Sequence, residues 1–121
     1  MTGTATSQDV IRQVIRGERP WTELRTVGIV IHLEGDQCRI ENPQGIKAAA
    51  DLHDLAQGLL VSRNDSNALR TWAFVLEAES FVDWGEAEQD PAWEPLWDAV
   101  WGASFGEPIP PEAIETARQL A

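Results

Sequence analysis

Three groupings in the chain have residue types and spacing that could do chemistry. The first is His53, flanked by Asp51 and Asp54 and preceding Glu77 by about two dozen positions, which could serve as acid and base toward a bound substrate. Such a pair needs a nucleophile or second base within hydrogen-bond reach, and spacing along the chain does not supply that. The alternative is that His53 and His32 are partly buried structural histidines. Glu77 lies among Ala73, Phe74, Leu76 and Phe81, so desolvation is expected to raise its pKa unless it pairs with Arg63 or Arg70 or points to solvent.

The second grouping is Glu86, Glu88 and Asp90, alternating after Asp83 and Trp84. Alternating carboxylates could offer oxygen to a hard cation, but the Asp-x-Asp-x-Asp-Gly run of a calcium loop is absent. They are expected to be solvated loop carboxylates, with no metal site. The third is Trp93, Trp97 and Trp101, one every four residues, interleaved with Glu94 and Asp98. On a helix each ring is displaced about 40° from the last, so the three make a slowly winding ridge. Either the indoles fill the core, or one or two of them line a surface for a partner, where Trp is enriched at hot spots.

Cys38 has no second cysteine to pair with, and Arg39 alone does not make the electropositive setting a reactive thiol requires. No glycine-rich phosphate loop, nucleophile elbow, CxxC, HExxH or basic patch with interleaved aromatics occurs. Nucleotide binding, hydrolysis, zinc binding and nucleic-acid binding therefore lack their usual signals. No catalytic residue and no cofactor is assigned.

Charge is distributed unevenly. The 121 residues carry a net charge of −11, with six basic and six acidic side chains over positions 1–47 but three and fourteen over 48–121. From Thr71 to Ala117 there is no lysine or arginine, while eleven of the twenty acidic residues and five of the six tryptophans fall there. A segment both anionic and aromatic can build core with its rings and present carboxylates to a basic partner; the plainer account is a solubilising surface. Nucleic acid and acidic membranes would be repelled. A lone cysteine suits a reducing, cytoplasmic setting, and residues 1–8 lack the charged and apolar regions of a secretory signal. No apolar run approaches the roughly 20 residues of a membrane span.

The elements that must position these residues read as an α+β fold in one domain over 1–121. An amphipathic helix is expected over about 8–16, placing Val10, Ile11, Val14 and Ile15 on one face, and Gly17 and Pro20 end it. Trp21 anchors the following turn. Period-two alternation of Val27, Ile29, Ile31 and Leu33 predicts a strand over 26–33, which the turn at 34–37 returns through 38–41 as a β-hairpin. A two-stranded hairpin is marginal alone, so helices, a third strand or another chain must cover it.

Helical spacing is then read over 46–60 and, nearly apolar all round, over 66–81, the central helix. An acidic loop spans 83–90. The tryptophan helix is expected to start near Glu94, because Pro95 tolerates only the first turn, and to run to Phe105 before Gly106. Pro110 and Pro111 open a short final helix.

The function this pattern favours is non-enzymatic: an acidic protein-binding module, of the immunity or inhibitor type, that neutralises a basic partner. Its candidate contact residues are Trp84, Glu86, Glu88, Asp90, Trp93, Glu94, Trp97 and Asp98. The alternatives are a homodimeric accessory subunit pairing through the hairpin edge or the Trp93–Phe105 face, and a small enzyme built on His53.

Overall fold

The computed structural model describes residues 6–35, 37–77 and 81–121. Helix α1 (Ser7–Ile15) begins at a reciprocal cap: the Thr6 hydroxyl accepts from the Asp9 amide at 3.1 Å, and the Asp9 carboxylate accepts from the Thr6 amide at 3.3 Å. Two of the amide donors orphaned at a helix start are thereby satisfied. Its apolar face, Val10, Ile11, Val14 and Ile15, is buried as the spacing predicts.

The hairpin is shorter than expected, and the reason is local. Residues Trp21–Val27 form a 3-10 helix, with the Thr26 hydroxyl donating to the Glu23 carbonyl at 2.7 Å. Gly28 ends it at φ +90°, a conformation that side chains with a Cβ rarely adopt. Strand β1 (Val30–Glu34) starts only after that turn and pairs antiparallel with β2 (Gln37–Glu41), Ile31 opposite Ile40. Both isoleucines pack against the core, as does Val27, and Ile29 is fully buried. The alternation therefore placed Val27, Ile29 and Ile31 toward the core, but Leu33, expected on the same face, is only half-buried and does not join that packing, and Gly28 decided the backbone. Asp36, in the expected turn, lies outside the described residues.

The next helix also starts later than its apolar spacing suggests. Asn42 clamps Ile46 with two hydrogen bonds, its amide donating to the Ile46 carbonyl at 2.8 Å and its oxygen accepting from the Ile46 amide at 3.0 Å. The chain leaves that turn extended as β3 (Ala48–Ala49), which pairs parallel with β4 (Val82–Asp83). Helix α2 (Leu52–Ser62) then begins at Asp51, which shares a second reciprocal cap with Asp54. Helix α3 (Ser66–Glu77) follows; the predicted continuation through 78–80 lies outside the described residues, and Phe81 is fully buried beside β4.

After a 3-10 turn at Gly85–Gln89 come α4 (Trp93–Ser104) and α5 (Pro111–Leu120). Pro95 sits in the first turn of α4, where its missing amide proton breaks no helical bond. The molecule is thus α+β, a hairpin and a small parallel pair on a helical body in which α4 packs chiefly on α3, and α5 on α2. No described helix is long and apolar enough to cross a membrane.

The face of α4 turned to the core is Leu96, Ala99, Val100 and Ala103. Burial of a large aliphatic side chain such as Leu96 contributes about 1.5–3 kcal/mol. The small residues among them let α3 approach closely. The tryptophan ridge lies beside this face, and its winding carries the rings outward in turn: Trp93 and Trp97 are half-buried, and Trp101 is 57% exposed.

Candidate functional site: an acidic groove floored by tryptophan

The site is assembled by the segment joining β4 to α4. Asp83 accepts from the Gly85 amide at 3.0 Å, and Gly85, at φ +53°, turns the chain into the 3-10 segment. Asp90 ends that segment and accepts from the Ala92 amide at 2.9 Å, which sets the entry into α4. Glu86, Glu88 and Asp90 are left exposed on this turn.

Beneath them three indoles pack together. Trp93 and Trp97, one helical turn apart, stack with centroids 4.9 Å apart and planes 11° from parallel. Trp84 meets both edge-on, at 5.3 Å and 5.8 Å. Aromatic pairs in such arrangements add about 0.5–1.5 kcal/mol each beyond their burial. Trp84 is only 3% exposed, so of the eight residues the sequence nominated it acts as a support under the other two rings.

A groove of about 380 Å³ is lined by Trp93 and Trp97 together with Glu88, Asp90, Glu94 and Asp98. Glu86 lies outside it and borders a neighbouring, shallower depression with Asp51, His53 and Asp90. None of these carboxylates joins an ion pair among the described residues. Glu94 and Asp98 are four apart on α4, where like charges destabilise the helix by a few tenths of a kcal/mol, although Glu94 is favoured at the helix N-terminus. Anionic groups gathered on low-dielectric ring surfaces raise the local concentration of cations. An indole face also attracts an ammonium or guanidinium group, by about 0.5–2 kcal/mol.

The acid–base grouping around His53 is not brought together. The His53 Nδ1–H donates to the Leu120 carbonyl at 2.9 Å, and the ring is exposed instead of partly buried. No carboxylate oxygen of the described residues lies within 4.0 Å of its nitrogens. Asp54 is fully buried and points the other way, toward α1, where Arg12 donates at 3.2 Å and Arg16 at 2.5 Å. Burial pushes the Asp54 carboxyl upward, but the Arg16 hydrogen bond, the Asp51 amide and the two guanidinium charges together hold it below the usual carboxylate range.

Glu77 stands at the contact of α3 with Ser104 of α4. Desolvation raises its pKa against a smaller opposing effect of the nearby Ser104 hydroxyl, which itself donates to the Trp101 carbonyl at 2.6 Å. The Glu77 Oε1 is buried without a hydrogen bond among the described residues. Arg70 does not reach it and donates instead to the Ser104 carbonyl, at 3.4 Å. His32 bonds Glu41 across the hairpin at 2.7 Å, which lowers the Glu41 pKa. The half-buried Cys38 thiol is pushed up by desolvation, away from the thiolate a nucleophile needs. Among the described residues, no three His, Cys, Asp or Glu side chains converge to hold a metal ion.

Two further features complete the picture, the first on the Trp93–Phe105 face that the sequence offered for pairing and the second not read from the sequence. Trp101 and Phe105 form an exposed edge-on pair, centroids 5.4 Å apart, on the last turn of α4. The ion cluster of Arg12, Arg16 and Asp54 links residues about forty positions apart, and its only local signal was the i, i+4 spacing of the arginines. Comparison with protein families, with curated proteins and with solved structures finds no match for this chain.

Proposed function

We propose that the chain is a non-enzymatic binding module, engaging a basic protein through the acidic, tryptophan-floored groove in the manner of an immunity or inhibitor protein. One observation carries the reading. Glu88, Asp90, Glu94 and Asp98 surround two stacked indoles without a cationic partner among the described residues. A lysine or arginine from another protein would relieve their mutual repulsion and lay its charge over a ring face. The charge would steer the encounter and make it salt-dependent.

The test compares proteins captured by the wild type and by a Glu88→Lys/Asp90→Lys/Glu94→Lys variant at low and moderate salt. A basic protein held by the wild type, weakened at least tenfold by the three reversals and weakened further by salt, is the expected result. Equal capture by both forms would refute it. A second reading, a homodimer, is favoured by Trp101 and Phe105, which are 57% and 67% exposed on one turn. Sedimentation of the wild type beside Trp101→Ser/Phe105→Ser separates the two readings.

A further inference from the structure

A second concavity, with no lining residue in common with the acidic groove, lies where the C-terminal ends of α1 and α2 meet one side of α3. It measures about 460 Å³, within the 300–1,000 Å³ typical of small-molecule sites. Its walls are Val14, Trp21, Val61, Trp72, Val75 and Leu76.

Three observations define what would fill it. First, the site is preformed: Trp72 is fixed by its Nε1–H donating to the Ile15 carbonyl at 2.9 Å, and Trp21 follows Pro20 at the start of the 3-10 helix. Second, Ser62 lines the groove, and its hydroxyl makes no hydrogen bond among the described residues, not even back to its own helix, so it opens to the groove and to water. A ligand group that meets it exchanges a hydrogen bond with water for one with the protein. Third, the rim offers no cation to an anion. Arg19 is already bonded to Gln13 and Glu23, and exposed Glu18, which joins no ion pair among the described residues, adds negative charge. An anionic ligand would lose hydration here without an ionic partner to replace it.

We infer that this groove binds an aromatic small molecule without negative charge, of two fused rings or larger, carrying one polar group that hydrogen-bonds Ser62. The two tryptophans supply ring surface, the aliphatic walls exclude water, and Ser62 fixes orientation. The site does not depend on the acidic groove, so either can fail alone.

1-Naphthol, which is neutral at pH 7, is the probe, titrated into the full chain and followed by amide NMR shifts and tryptophan fluorescence. Saturable one-to-one binding is expected, with shifts centred on Val14, Trp21, Ser62 and Trp72. Ser62→Ala should weaken it about 2- to 10-fold, the value of one hydrogen bond. Ala68→Trp, at an exposed rim position, should weaken it at least tenfold; Asn67→Trp, also exposed, replaces it if that variant does not fold. Naphthalene-1-sulfonate should bind at least tenfold more weakly than 1-naphthol, and Trp97→Ala should leave the affinity unchanged. Absence of saturable shifts, unaltered affinity in both tryptophan variants, or equal binding of the sulfonate overturns the inference. So does a dimer in sedimentation that shuts 1-naphthol out, since a second copy would then be the occupant.

Discussion

Replacing glycine by alanine inside a helix ordinarily stabilises it by about 1 kcal/mol, because alanine loses less backbone entropy. At Gly58, in the middle of α2, the opposite is expected. A Cβ built there falls 1.9 Å from the Ile15 carbonyl oxygen and 2.7 Å from Cζ2 of Trp72. Non-bonded heavy atoms settle near 3.5–4.0 Å, so α1 and Trp72 must both retreat. Overpacking of a core costs about 1–3 kcal/mol. The retreat also breaks the Trp72–Ile15 hydrogen bond, leaving a buried indole N–H unsatisfied at about 1–3 kcal/mol more. Set against the propensity gain, Gly58→Ala is destabilising by about 1–5 kcal/mol, and the middle of that range corresponds to a fall in Tm of roughly 10 °C at this size. Thermal and urea unfolding followed by circular dichroism measure it. Gly102→Ala in α4 is the control: its Cβ meets chiefly the carboxylate end of exposed Glu107, at 2.8 Å, which can swing aside. It should be neutral or stabilising by up to about 1 kcal/mol. If Gly58→Ala matched or exceeded the wild type, the close crossing of α1, α2 and Trp72 would be refuted.

Other perturbations probe the ion cluster, the buried carboxyl and the exposed pair. Asp54→Asn should cost about 2–3 kcal/mol at pH 7, less than the 3–5 of a fully buried pair, because the Arg12 and Arg16 side chains are 40% and 27% exposed and can rehydrate. The Asp54 pKa is lowered on folding, so its contribution is present above the unfolded value near 4 and fades as pH falls through the folded one; urea titrations should show the gap to wild type closing below about pH 4. Glu77 is shifted the other way, so its protonated form stabilises below the unfolded value and is lost as pH rises through the folded one. Glu77→Gln should therefore raise Tm at pH 7 and leave it unchanged at pH 3.5. Trp101→Ser/Phe105→Ser should change stability by less than about 1 kcal/mol, since both rings are mostly in water; a larger loss would mean they pack on something in solution.

Apolar spacing proved legible wherever burial alone decided the outcome. The inner faces of α1 and α5, the contents of α3, and the stop of α4 before Gly106 follow from it. It failed where a side chain reorganised the backbone. Asn42 and the pairing of Ala48 and Ala50 with Phe81 and Asp83 held residues 46–50 extended, although alanine favours helix; Asp51 and Asp54, spaced as a cap, marked the true start. Of the site, the carboxylates and Trp93 and Trp97 could be named from composition and spacing. The burial of Trp84 could not, because an indole in an acidic loop has no periodic neighbours to show which way it faces.

The two-residue pairing of β3 with β4 is slight in area but closes a long loop. Ala48 donates to the Phe81 carbonyl and Ala50 to the Asp83 carbonyl, each at 3.0 Å, so the clasp encloses all of α2 and α3. Joining chain positions this far apart is entropically unfavourable until the intervening helices have shortened the distance between them. Helix formation and the α2–α3 turn are local and fast, so the clasp is a late event on the way to the native state. A substitution that weakens it, such as Val82→Ala, would then accelerate unfolding while leaving the refolding rate nearly unchanged. The clasp thus acts as a latch: it sets how long the molecule stays folded, and with it how long the turn after β4 holds Trp84 beneath the acidic groove.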